Sequence, residues 1–347
     1  MADSPVLPTI YDVARAAGVS ASTVSRAFAR PGRVSHHTAQ KIFAAAIDVG
    51  YRSSHVGGIQ HAGGHRTSMI ALVIADLRNP VYAEMVRGAE AAAAEAGYTM
   101  LLAHTQESER KEREALERAL SSVDGIVLSS SRMSDSAIRM MAKQKPLIVM
   151  NRAIKDVASV VTDNPRGIRR AAEHLGEMGH RTITYLAGPE ASWADGMRWR
   201  SLREAAMELE LTVRRTRSHL PTIQGGEEVA AEWLRHRTPG VIAYNDQMAI
   251  GFIRAVQQKG LSVPGDVSVV GHDNSFGAAL ITPSLTTIEA PLYSLGATAV
   301  KNLLAFAAGA RSRSNQPVVL PTRLVVRDST RPTNSRPSPC CHRMATR

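Results

Sequence analysis

Disulfide cross-linking and membrane insertion have little to work with in this sequence. Only two of its 347 residues are cysteine, and Cys340 and Cys341 are neighbours near the end. Adjacent thiols build no disulfide framework, and with only His342 beside them they make a poor metal site. No run of 18 apolar residues occurs, so nothing reads as a membrane-spanning helix. The opening Met-Ala-Asp-Ser-Pro has neither the basic nor the apolar region of a secretion signal, which makes the cytoplasm the expected location. Acidic residues are scarce at the start: from Met1 to Thr67 there are only Asp3, Asp12 and Asp48, and no Glu. The same stretch carries Arg15, Arg26, Arg30, Arg33, Lys41, Arg52 and Arg66. Such a basic segment, in a chain of formal net charge +11, favours a polyanionic partner. Length and a hydrophobic content of 44% predict two or three domains with sizeable cores.

The segment Thr9–Arg26 is the most informative. Thr9 is placed as a helix N-cap with Asp12 in the first turn, and Ile10, Val13, Ala14 and Ala17 form an apolar stripe at helical spacing. Gly18 supplies a turn that needs positive φ. Ser20 then caps a second short helix, with Val24 inward and Ser22, Thr23, Ser25 and Arg26 polar. A helix made only for packing would open with Leu or Ile. Two short helices around a tight turn predict a helix-turn-helix, whose second helix enters the DNA major groove.

Thr-Ile-x-Asp-Val-Ala-x-x-Ala-Gly-Val-Ser-x-x-Thr-Val-Ser-Arg resembles the signature of the lactose-repressor (LacI/GalR) family of transcription regulators. By that resemblance, base reading falls to Ala21, Ser22 and Arg26, with Ser20 and Ser25 placed for phosphates or base edges. Ala suits a thymine methyl and Arg the O6/N7 edge of guanine. Thr9, Tyr11, Ser35 and Thr38 are expected to position the backbone, a role that sets register without reading sequence. The family's linker forms a hinge helix with a Leu wedge in the minor groove. Here that position falls at Gln60, with Ile59 one residue early as the candidate wedge. Gly57-Gly58 opposes the hinge, since each Gly costs a helix about 1 kcal/mol relative to Ala.

In chain order, residues 1–8 read as a disordered leader and 9–51 as a three-helix DNA-binding domain. Its third helix is capped by Ser35 and carries Ala39, Ile42, Phe43, Ala46 and Ile47, with Phe28 and Tyr51 closing the core. Residues 52–66 are a linker. From 67 to 330, short apolar runs alternate with helical patterns, which means parallel sheets and right-handed crossovers. Buried strands are expected at 69–75, 99–104, 125–129, 147–150, 160–162, 182–187, 241–244 and 267–271. The run is too long for one sheet and predicts an α/β core of two doubly wound subdomains facing each other across a cleft. The resemblance implies the periplasmic-binding-protein-like version of that core, with further crossings near Asp163–Asn164, Pro291 and Pro321–Arg323. Residues 331–347 read as a disordered tail without a tetramerising heptad.

A ligand in such a core sits where loops leave the carboxyl ends of the strands. Asp76–Tyr82, Asn151-Arg152, Asp163-Asn164, Arg198, Asn245-Asp246 and His272-Asp273-Asn274 fall there, and carboxylate, amide and guanidinium together suit hydroxyl-rich or polar heterocyclic ligands. Asn-Asp-Gln-Met-Ala (245–249) and Val-Val-Gly-His-Asp-Asn (269–274) resemble the family's effector motifs, which implies that Arg198, Asn245 and Asp273 face the ligand, with Asn151 and Tyr82. Asp246 is expected to shape its turn. The stacking aromatic expected near 219–226 is missing, and Tyr82, Trp193 or Phe276 are its possible substitutes.

No Ser-His-Asp set, metal-spaced His/Cys cluster or P-loop occurs, so no catalytic residue, metal or cofactor is assigned and an enzyme is disfavoured. A transport receptor has no use for a helix-turn-helix. The expectation is a homodimeric repressor on a pseudo-palindromic operator. Its effector is a carbohydrate inducer in the first reading and a purine-type corepressor in the second.

Overall fold

The computed structural model describes residues 8–29, 34–49, 67–309 and 316–333. The chain separates into two compact units, Met1–Arg66 and Thr67–Arg347.

Three helices make the first unit: α1 (Ile10–Ala17), α2 (Ala21–Ala29) and α3 (His36–Asp48). Asp12 holds the start of α1, because the Thr9 backbone N–H and hydroxyl both donate to Asp12 Oδ2, at 2.8 and 2.7 Å. Gly18 ends it at φ +63°, which lets the Val19 N–H turn back onto the Ala14 carbonyl at 3.0 Å. Val13, Ala17, Val24, Ala27 and Ile42 bury their side chains together. Phe28 meets Phe43 edge-on at 5.2 Å and closes that side of the core. Tyr51, expected beside it, lies outside the described residues, as do the linker with Ile59 and most of the leader.

The second unit contains two lobes. In the first lobe β1 (Met69–Ile74), α4 (Pro80–Glu95), β2 (Thr99–His104), α5 (Glu109–Ala119), β3 (Gly125–Ser129), α6 (Asp135–Gln144), β4 (Leu147–Met150) and β5 (Ser159–Thr162) follow in turn. In the second lobe come α7 (Asn164–Glu177), β6 (Thr182–Leu186), α8 (Trp193–Glu208), β7 (Thr212–Arg215), α9 (Ile223–Trp233), β8 (Gly240–Ala243), α10 (Asp246–Gln258), β9 (Ser268–Asp273) and β10 (Thr286–Glu289). The chain then returns to the first lobe for α11 (Leu292–Ala307) and β11 (Val318–Leu320), and ends in the second with β12 (Arg323–Val325). The sheet orders are β11-β5-β4-β3-β1-β2 and β12-β10-β9-β8-β6-β7. Among the described residues every pairing of these strands is parallel except β12 on β10.

The α/β core of two doubly wound subdomains is therefore present, with crossings at Asp163, Ala290–Pro291 and Pro321–Thr322. Two crossing segments are bonded to each other: the Asp163 N–H donates to the Leu320 carbonyl at 2.9 Å, and the Thr322 hydroxyl to the Asp163 carbonyl at 2.8 Å.

Two expectations are corrected. The strand 99–104 is an edge, paired only with β1, and Leu101 and Leu102 are exposed rather than buried. The tail does not begin at Arg331, because backbone bonds continue past it. The Arg331 N–H donates to Ser268 Oγ at 3.1 Å and the Thr333 N–H to the Met178 carbonyl at 2.8 Å.

Candidate functional sites: the helix-turn-helix surface and the cleft

The outward face of α2 is fixed by its inward one. Val24 and Ala27, three residues apart, are fully buried, which turns Ser22, Ser25 and Arg26 to solvent. Ser20 caps the helix by accepting from the Thr23 N–H at 3.2 Å, and its hydroxyl also meets those of Ser22 and Thr23 at 2.9 and 2.8 Å. Arg26 lies back along its own helix, with Nε donating to the Ser22 carbonyl at 3.2 Å and Nη2 to its hydroxyl at 3.3 Å. Ala21 is half-buried at the first position. Tyr11 is 68% exposed, which excludes a packing role and leaves its hydroxyl available to a partner. Ser35 caps α3 through the Thr38 N–H at 3.2 Å, so a second helix N-terminus offers donors to phosphate. Thr9 keeps the Asp12 carboxyl below its ordinary range by hydrogen bonding.

In the second lobe the polar wall of the cleft centres on Arg198, a buried residue of α8. Its Nε donates to Asn164 Oδ1 at 3.0 Å, its Nη1 to the Tyr244 carbonyl, and its Nη2 reaches Asp273 at 3.5 Å. The guanidinium also stands 4.9 Å from the centre of the Tyr244 ring. Asp273 ends β9 at φ +105°, a conformation costly for any side chain but glycine. His272 donates to it from Nδ1 at 2.7 Å. Burial, and then the charge of Arg198, lower the His272 pKa to about 4, so the ring is neutral at pH 7. Its Nε2 has no hydrogen-bond partner among the described residues.

Asn245 takes a structural role in this wall. Its Oδ1 caps α10 by accepting from the Met248 N–H at 3.0 Å, and its Nδ2 donates to the Pro221 carbonyl at 3.1 Å. Both ends of the amide are engaged within the lobe, which joins two loops and leaves one N–H and one oxygen lone pair of the side chain uncommitted. Asp246 shapes the turn, accepting from the Ser275 N–H and the Thr287 hydroxyl at 2.6 Å each. Burial and the nearby charge of Asp273 push its pKa up to about 7.

The first lobe carries polar residues at its own strand ends. Asn79 caps α4 through the Val81 N–H at 3.2 Å, which brings Tyr82 into the first turn, where it is buried. Asn151 stands half-buried at the end of β4 with φ +58°, and its side chain has no hydrogen-bond partner among the described residues. Arg152 turns away to hold the Ser131 and Met133 carbonyls and Asp135. A bond between the lobes, from Gln247 Nε2 to the Arg78 carbonyl at 3.3 Å, adjoins these residues. Trp193 begins α8, and Phe276 is exposed on a 3-10 turn. Sequence reasoning missed Arg132, Glu107 and Tyr244. Arg132 lies three residues past an expected strand, so the loop rule that found Asn151 would have found it.

Residues 9–54 match the family model described as bacterial regulatory proteins, lacI family, and residues 172–330 match the periplasmic binding protein-like domain. Among curated relatives, the HTH-type transcriptional regulator DegA of Bacillus subtilis (strain 168) is 35% identical over 341 residues, covering 94% of this chain and 99% of its own. Among solved structures, the transcriptional regulator CelR–cellobiose complex is similar at a TM-score of 0.70 and 28% identity, covering 93% of this chain and 99% of its own. The lac repressor dimer bound to operator and the anti-inducer ONPF gives 0.71 at 26% identity, covering 94% and 99%.

Proposed function

The chain belongs to the lacI family of bacterial regulatory proteins, and from that membership we propose a cytoplasmic, homodimeric repressor whose operator affinity is set by a small effector held between the two lobes. The observation that carries this reading is the coexistence of an outward Ser22–Ser25–Arg26 face with buried polar side chains, Arg198 and Asp273 among them, at the strand ends of a two-lobed core in one chain. DNA is read by the first and the effector by the second. Arg198, Asn245, Asp273, Tyr82 and Asn151 are the proposed contacts, while Asp246 holds the turn that carries Asn245. Arg26, Ser22 and Ala21 read bases; Thr9, Tyr11, Ser20, Ser25, Ser35 and Thr38 hold the phosphate backbone, and Ile59 is the proposed wedge.

Binding rather than catalysis is the work of the cleft, where Arg198 faces Asp273 and is already hydrogen-bonded on three sides. An effector changes DNA affinity only by preferring one arrangement of the lobes over another. The solved complex of a similar regulator with cellobiose favours a carbohydrate.

The test is to select an operator from random duplexes and titrate the complex at fixed salt with sugars, sugar acids, nucleosides and purines. A neutral sugar that weakens binding by about tenfold or more supports an inducer-controlled repressor. A purine that tightens binding would replace it with a corepressor mechanism. No selection of a preferred duplex would remove the DNA-binding reading itself.

A further inference from the structure

The loop after β3 is held far more firmly than a connection requires. The Arg132 N–H donates to the buried carboxylate of Glu112 at 2.9 Å, and Arg152 binds the carbonyls on either side, Ser131 at 3.1 Å and Met133 at 2.7 Å. Burying a carboxylate is costly, and burial does push the Glu112 pKa up. The common product of Glu112 and Arg152 is one fixed side chain, that of Arg132, which is only 6% exposed. Its guanidinium meets Glu107 at 2.6 Å and lies within electrostatic reach of Tyr82 in its own lobe and Tyr244 in the other.

Tyr244 is also the residue against which Arg198 rests. Two guanidinium–carboxylate pairs stand past the strand ends of the two lobes, Glu107–Arg132 beyond β2 and β3 in the first and Asp273–Arg198 at the end of β9 in the second. Within each pair the charges cancel, so neither pair by itself favours a ligand of either sign. Each pair sets an acceptor beside a planar fork of donors, the arrangement that grips two neighbouring hydroxyls of a ring.

We propose that Glu107 and Arg132 are the first lobe's ligand-reading pair and that they select an uncharged, vicinally hydroxylated effector, a neutral sugar. This rests on the cleft being the effector site. It adds two specificity residues and a charge class to that reading.

The test is calorimetric titration of the full-length protein with D-ribose, D-glucose, cellobiose, D-gluconate and adenosine, and with 2-deoxy-D-ribose and 2-deoxy-D-glucose. The variants are Arg132→Leu, Arg132→Lys, Glu107→Gln and, as a control in the second lobe, Arg198→Ala. The expected result is a neutral sugar bound by the wild type and weakened by about tenfold or more in Arg132→Leu. Loss of one hydroxyl from that sugar should cost the wild type about tenfold and Arg132→Leu about threefold or less, the signature of direct coupling. Arg132→Lys keeps the charge without the fork and should fall between. A melting curve for each variant identifies one that fails to fold, and Glu107→Gln then carries the same cycle.

If Arg198→Ala loses the sugar while Arg132→Leu and Glu107→Gln keep it, the pair is excluded and the cleft reading stands. If all of these variants bind normally, the cleft reading fails. Binding of gluconate or adenosine alone, or of no neutral sugar in the panel, overturns the assigned class.

Discussion

Arg198 Nε donates to Asn164 Oδ1 across 3.0 Å, joining the middle of α8 to the first residue of α7 beyond the chain's first crossing between lobes. The same guanidinium reaches Asp273 at 3.5 Å, so one buried cation touches both a crossing segment and the end of a cleft strand. Asp273→Ala should abolish the effector's influence on operator binding. It also leaves the guanidinium short of its counter-charge, and removal of one partner of a buried pair costs about 3–5 kcal/mol. The remaining bonds to Asn164 and the Tyr244 carbonyl place this case at the lower end. Operator affinity measured with increasing effector is the readout, and an ordinary response in the variant would move the effector elsewhere.

On the DNA-binding surface, Arg26 is held among the described residues only by Ser22 of its own helix, through exposed bonds of 3.2 and 3.3 Å that water can replace. Swinging out to a guanine edge is therefore inexpensive. Arg26→Ala should weaken operator binding by about 1–3 kcal/mol, concentrated at one base pair. A selected-duplex comparison of wild type and variant checks this. Equal discrimination at every position would leave Arg26 a phosphate contact.

α4 and α11 cross at a pair of glycines. A Cβ on Gly88 would stand 2.0 Å from the Tyr293 carbonyl oxygen, and one on Gly296 would stand 2.0 Å from that of Met85. Backbone cannot give way as a flexible side chain does. Gly296→Ala should therefore destabilise the first lobe by about 3 kcal/mol or more, beyond ordinary overpacking of a core. Urea unfolding reports it as a lower midpoint; an unchanged midpoint would mean the helices separate at little cost.

Much of this architecture was legible because local signals coincide with elements. The strands 99–104, 125–129 and 147–150 begin and end where the apolar runs do, and Ser20, Ser35 and Gly18 punctuate the first unit as their chemistry requires. What escaped lacked such contrast. α11 is apolar over most of its length and packs on both α4 and the sheet, so its few polar residues, Ser294, Thr298, Lys301 and Asn302, mark its period only weakly. β10, β11 and β12 are three or four residues long, and their pairing is set by tertiary contacts. In the cleft, strand-end position identified Arg198 and Asp273 but not what each touches. The Asn245–Pro221 bond and the Glu107–Arg132 pair arise between segments distant in sequence.

Asp246 makes stability depend on pH in a direction opposite to most carboxylates. It is fully buried, accepts from Ser275 and Thr287 at 2.6 Å each, and lies near the charge of Asp273. Burial first, and that charge second, raise its pKa from 3.8 to about 7. The folded state therefore holds a proton that the unfolded chain has released between those values. Its contribution to stability is complete below pH 3.8 and is lost as the pH rises through about 7, with a slope of at most about 1.4 kcal/mol per pH unit. Asp246→Asn cannot titrate, so its urea midpoint should vary less between about pH 5 and 8 than that of the wild type. It should also be less stable at the acid end, because an amide nitrogen replaces one acceptor facing Ser275 or Thr287. Asp273→Ala removes the second cause of the shift and should flatten the profile in the same sense without touching Asp246. Parallel profiles for all three proteins would show that Asp246 stays ionised throughout, held by its two donors against the cost of burial.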